Sequence, residues 1–144
     1  MDGKISKEKI VIDTNIFLEF LLQQDRTVES LLLMKKIEEG SVEAYITGYT
    51  LHSIEFTLDR RKQPKLLEKF LGQLMIAQGL QVYQTELVEE KEIAALTQAI
   101  NLDFDDALQY FVTKKLDAVL VSFDRDFDKT DLERVEPSDL AEMK

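Results

Sequence analysis

The chain has 144 residues, 44% of them hydrophobic, with 5 Gly, 2 Pro and no Cys, which suits one domain spanning 1–144 whose core needs no covalent staples. The missing cysteines exclude disulfides, thiolate zinc sites and cysteine nucleophiles, and an intracellular, cytoplasmic address is expected. A formal charge of −10 argues against nonspecific nucleic-acid binding, so any nucleic-acid role must rest on local chemistry.

Lysines precede the first apolar stretch as in a signal peptide, but Asp13, Asn15 and Glu19 interrupt it and no export signal is read. No segment approaches the roughly 20 apolar residues that span a bilayer, so a soluble protein with no membrane partner is expected. Lys9 to Ile12 predicts a strand, and Ile16, Phe17, Phe20 and Leu21 recur at helical spacing directly after it. A buried strand excludes an unpaired carboxylate, so Asp13 belongs at the strand's mouth, as a cap with Thr14 or as part of a site. "TVESLLLMKKIEEG" predicts a second helix, with Thr27 able to cap it and Gly40 stopping it.

"EAYIT" is a second strand, and "TLHSIEFTLDRRK" a helix with Leu51, Ile54 and Leu58 on one face. Pro64 marks the boundary before the helix "KLLEKFLGQLMIAQ", and "LQVYQ" is the third strand. "ELVEEKEIAALTQAINL" and "DFDDALQYFVTKK" are two further helices, the second with acids first and lysines last, as the helix dipole favours. "DAVLVS" is a fourth, buried strand; Val135 lies in a short extended segment, and "SDLAEMK" is a terminal turn or a frayed end. Strands alternating with helices predict an α/β three-layer sandwich. Its central, mostly parallel sheet of four to five strands has helices on both faces and all strand C-termini on one edge.

Four carboxylates can reach that edge. Asp13 ends the first strand, Glu55 lies one turn into the helix after the second, Asp106 is in a first helical turn, and Asp124 follows the fourth strand. Clustered like charges persist at neutral pH mainly when a cation neutralises them, and magnesium or manganese suits oxygen ligands. "VIDTN", "TLHSIEF", "DDALQYF" and "LVSFDRDF" then resemble, in order from Ile10 to about Val135, the signature blocks of PIN-domain nucleases.

The resemblance implies a PIN-like fold and a Mg2+- or Mn2+-dependent ribonuclease that hydrolyses RNA phosphodiesters by in-line attack of water. It makes Asp13, Glu55, Asp106 and Asp124 the catalytic metal ligands, adds Asp126 as a further ligand, and assigns Asn15 and Ser122 as supporting polar groups. A short single-domain member looks like the toxin of a toxin–antitoxin pair (VapC-type), which implies a small antitoxin partner and a homodimer. The abundance of Leu, Ile, Phe and Met on the helices also points to a dimer.

Each residue has a plainer reading. Glu55 can be a solvated helix residue, Asp103 a cap, Asp105 a complement to the helix dipole, and Asp126 and Asp128 turn residues. The lone His52 is read as a surface or packing residue, since a single imidazole brings no second nitrogen ligand. In "DRRKQPKLLEK" the cations outnumber the acids, so Arg60, Arg61 and Lys62 are candidate phosphate contacts or simply the dressing of a helix C-terminus. A haloacid-dehalogenase-type phosphatase would need an acid where Asn15 stands, and a receiver domain would need an acidic pair beside Asp13. The remaining rival is a PIN-like module that binds RNA or protein without cutting.

Overall fold

Strand β1 (Lys9–Ile12) explains the architecture: Ile10, Val11 and Ile12 are all fully buried, because both faces of this strand are covered. Ile10 and Ile12 belong to one apolar core and Val11 to another, as the two-residue period of a strand requires. The computed structural model describes residues 8–141. Beside β1 it places β2 (Glu43–Thr47), β3 (Leu80–Tyr83), β4 (Val119–Val121) and β5 (Arg134–Val135), in the order β3-β2-β1-β4-β5. All four pairings are parallel, with Val11 opposite both Tyr45 and Leu120.

The first core is filled from α1 (Thr14–Leu21), α2 (Thr27–Glu38), α3 (Gly48–Arg60), α4 (Pro64–Ile76) and α7 (Pro137–Ala141). Phe17 and Phe70 meet edge to face there, with centroids 5.6 Å apart, a geometry the ring quadrupoles favour. The second core lies under α5 (Leu87–Ile100) and α6 (Phe104–Leu116), which contribute Ile93, Ala107, Leu108 and Val112. Helices therefore cover both faces of a parallel sheet, the three layers the alternating pattern predicts.

Several local expectations change. Thr27 does not cap α2; its hydroxyl donates backwards to the carbonyls of Glu19 and Gln24, and Arg26 occupies the cap position without a side-chain capping bond. Helix α1 ends at Leu21, with Gln23 at a φ of 54°. Helix α3 begins at Gly48, ahead of the expected Thr50, because the Thr47 hydroxyl accepts from the Thr50 amide at 3.1 Å. The terminal segment is helical from Pro137 to Ala141; Glu142 to Lys144 lie outside the described residues, as do the lysines ahead of Glu8. Between β1 and β4 the chain order reverses, since it first winds outward through β2 and β3 and then returns. In parallel sheets that reversal opens a crevice at the strand C-termini.

Candidate metal centre

Asp13 stands at the mouth of this crevice. Its backbone N–H donates to the Val121 carbonyl at 2.9 Å, carrying the β1–β4 ladder one step past β1. The carboxylate is 8% exposed. Oδ1 accepts from the Thr14 amide at 2.8 Å and Gln109 Nε2 at 3.0 Å, and Oδ2 from Ser122 Oγ at 2.6 Å and, more distantly, Asn15 Nδ2 at 3.5 Å. Burial pushes the Asp13 carboxyl above its usual range, opposed by the hydrogen bonds from Ser122, Gln109 and the Thr14 amide. The capping and site readings of Asp13 therefore hold together: it caps α1 and lines the cleft.

Ser122 and Asn15 shape the next acid. Ser122 Oγ accepts from the Asp124 amide at 2.9 Å, and Asn15 Oδ1 accepts from the Phe123 amide at 3.3 Å, so the loop after β4 is fastened to α1. Asp124 caps a short 3-10 helix, Arg125–Lys129, by accepting from the Asp126 amide at 2.9 Å, and the buried Phe127 pins that turn. Asp106 comes from the first turn of α6. One carboxylate oxygen each of Asp106, Asp124 and Asp126 lie within 4.8 Å of one another. Burial, aided by the charges of Asp105, Asp124, Asp13 and Asp103, raises the Asp106 carboxyl to about 7.

The donor set fits a hard divalent cation. It is all oxygen, it is acidic, and a positive ion would relieve the repulsion that adds to burial in raising Asp106. Gln109 also lines the cleft, and its Oε1 is buried without a hydrogen-bond partner among the described residues.

Helix α3 gives this cleft hydroxyls. Tyr49, Ser53 and Thr57, four residues apart, line the cleft of about 280 Å3 together with Asp13, Asp106 and Asp124. Glu55, two residues past Ser53, is turned by about 200° around the helix. The structure does not bring it to the acids; its Oε1 lies 2.8 Å from His52 Nδ1. His52 is a surface residue, as expected, and stacks on Phe56. Asp105 also lines the cleft, with Tyr49 Oη donating to it at 3.4 Å, but it is outside the three-acid cluster. Asp103 occupies the cap of α6 without a side-chain cap bond, and Asp128 is held by Arg134.

Arg60, Arg61 and Lys62 are exposed at the C-terminal end of α3, and among the described residues none of them forms a salt bridge. They lie outside the cleft lining. Eleven residues separate Tyr49 from Arg60, about 16 Å of rise and about 20° of net rotation, so Arg60 continues the stripe of Tyr49, Ser53 and Thr57, with Arg61 and Lys62 just past the helix end. Residues that motif reasoning did not find are Gln109, Thr50, Ser53 and Thr57. The one signal for Gln109 is a glutamine three residues after Asp106, on the same side of α6.

Residues 10–133 match the profile of the PIN domain family. No curated protein sequence matches the chain. Among solved structures, the chain is similar to Mycobacterium tuberculosis VapC20, a Sarcin-Ricin loop cleaving toxin, with 17% identity and a TM-score of 0.71 over 89% of this chain and 99% of that one. It is similar to a toxin–antitoxin complex from Klebsiella pneumoniae, with 18% identity, a TM-score of 0.65 and coverage of 89% and 97%. A third similar structure is VapBC2 from Rickettsia felis bound to a DNA fragment from their promoter, with 16% identity, a TM-score of 0.62 and coverage of 89% and 98%.

Proposed function

We propose, from the premise that this chain belongs to the PIN domain family, that it is a divalent-metal-dependent ribonuclease acting as the toxin of a toxin–antitoxin pair. The observation that carries this reading is the convergence of Asp106, Asp124 and Asp126 at the sheet edge beside the buried Asp13. A magnesium or manganese ion bound there would supply an activated water and neutralise charge on the phosphate. Asp106, Asp124, Asp126 and Asp13 are its ligands. Asp13 closes the site from beneath, and Ser122 and Asn15 hold Asp13 and the Asp124 loop in register. The α3 hydroxyls line the wall where a sugar–phosphate strand lies, and Arg60, Arg61 and Lys62 meet successive phosphates farther along it.

A small antitoxin and a second copy of the chain complete this reading, in the cytoplasm. The toxin–antitoxin assemblies among the similar structures support the first. For the second, the exposed Leu87 and Val88 border, with Phe104, an open apolar recess of the kind that marks protein contacts. A non-catalytic PIN-like binder is favoured by one observation, the turn of Glu55 away from the acids.

Metal-dependent cleavage of a mixed RNA pool separates the two. Wild type should cut with magnesium or manganese and stop with chelator. Losing one ligand of an ion that supplies several kcal/mol should slow Asp106→Asn and Asp124→Asn by on the order of 10² to 10³. Asp105→Asn should cost little, and the exposed Asp126→Asn less than Asp124→Asn. Equal rates for wild type and Asp106→Asn would place the chemistry elsewhere. No cleavage by any of the five folded proteins would favour the binder.

A further inference from the structure

Gln109 is 1% exposed and lies one turn beyond Asp106 on α6. A buried primary amide has two N–H donors and one carbonyl to satisfy. Nε2 donates to Asp13 Oδ1 at 3.0 Å and to Thr50 Oγ1 at 2.9 Å, while Oε1 has no partner among the described residues. The partners fix this orientation, because an ionised Asp13 only accepts and a flipped amide would set oxygen against oxygen. Thr50 Oγ1 in turn lies 3.0 Å from Thr14 Oγ1. One side chain thereby ties the end of β1, the start of α1, α3 and α6 around a single carboxylate.

Packing does not call for an amide here. Leu108 and Val112, its neighbours on α6, are in the second core, and an apolar side chain of the same length would leave no buried carbonyl unpaired, a condition that costs stability. Asp13 also cannot swing freely: each of its oxygens already accepts two hydrogen bonds. We infer that Gln109 is a positioning residue of the proposed metal centre, holding the Asp13 carboxylate in place beside the three-acid cluster.

The inference rests on the metal reading, and its test uses manganese alone as the probe. Gln109→Met keeps length and removes both donor and acceptor. Thr50→Val removes the other partner of the same amide but leaves the bond to Asp13. Calorimetric titration with manganese, on proteins shown to be folded, should give a Kd raised about 10- to 100-fold for Gln109→Met, the range for loss of a residue that orients a metal-site carboxylate. Thr50→Val should stay much closer to wild type, although urea unfolding should find both less stable. Gln109→Asn, which keeps the amide but shortens its reach, should show the same loss and replaces the methionine variant if that does not fold. Unchanged manganese affinity in Gln109→Met or Gln109→Asn, or equal losses in Gln109→Met and Thr50→Val, would make Gln109 a packing residue only. Absence of manganese binding by wild type would remove the metal centre itself, and the positioning role with it.

Discussion

At the scale of the residue, Asp106 controls how the proposed centre responds to pH. Burial and the neighbouring carboxylates raise its carboxyl to about 7 from the ordinary 3.8, so the folded state holds this proton more tightly than the unfolded chain does. Its contribution to stability is therefore full below about pH 4 and is lost as pH rises through about 7. Asp13, also raised, acts with the same sign. Glu89, held down to about 2 chiefly by Lys115 and Tyr83, acts oppositely but only below its free value of 4.5. Thermal melts in chelator should accordingly fall from pH 5 to 8 more steeply for wild type than for Asp106→Asn, and saturating magnesium should reduce the difference. Because an ion must displace that proton, manganese affinity should climb over the same interval; a flat affinity from pH 5 to 8 would mean that Asp106 is not a ligand. Asp13, Asp106 and Asp124 are visible in the sequence because each sits at a strand end or a first helical turn. Glu55 shows where such reasoning stops. Thr50, Ile54 and Leu58 form the buried face of α3, and both Ser53 and Glu55 flank it. Sequence shows adjacency to that face, but packing decides which flank meets the cleft.

Elements with strong periodicity were readable almost to the residue: β1 and β2 have the expected bounds, and α4 starts at Pro64, one residue ahead of the expected Lys65. The two-residue β5 and α7 were less so, because β5 depends on pairing with β4 and α7 on docking against the first core. Helix α3 links the acidic cleft to the cationic run. Its N-terminal turns line the acidic cleft and its last turn carries Arg60, with Arg61 and Lys62 just beyond. If a single strand runs along it, replacing all three cations by alanine should lower the slope of log K against log salt by about 2, since each phosphate contact on single strands contributes about 0.7. Anisotropy titrations of a short RNA in chelator, over a range of salt, measure this without cleavage. Manganese affinity should stay at the wild-type value, because the triplet is outside the cleft. An unchanged slope would reduce the run to helix dressing.

For the whole molecule, the parallel sheet with two cores was legible from the alternation of strands and helices, and the depth of the crevice was not, because it depends on the order in which the strands assemble. That order has a consequence in time. Asp13 meets Gln109 and Ser122 across 96 and 109 positions of chain, and β1 has β2 on one side and β4 on the other. Contacts between segments so far apart are the slow ones to form, since the entropy of closing a long loop comes before any reward. Neighbouring segments up to β3 can pair and cover most of the first core, leaving the places of Val121 and α7, while the second edge of β1 is still open. In refolding from urea, amide protection in β2 and β3 should therefore be complete no later than in β4, and manganese binding should arise only with the last phase. Metal captured in an early phase would contradict this sequence of events. The same separation means that a growing polypeptide has no complete three-acid cluster until Asp126 has been added, so any metal chemistry of the proposed centre waits for the close of folding.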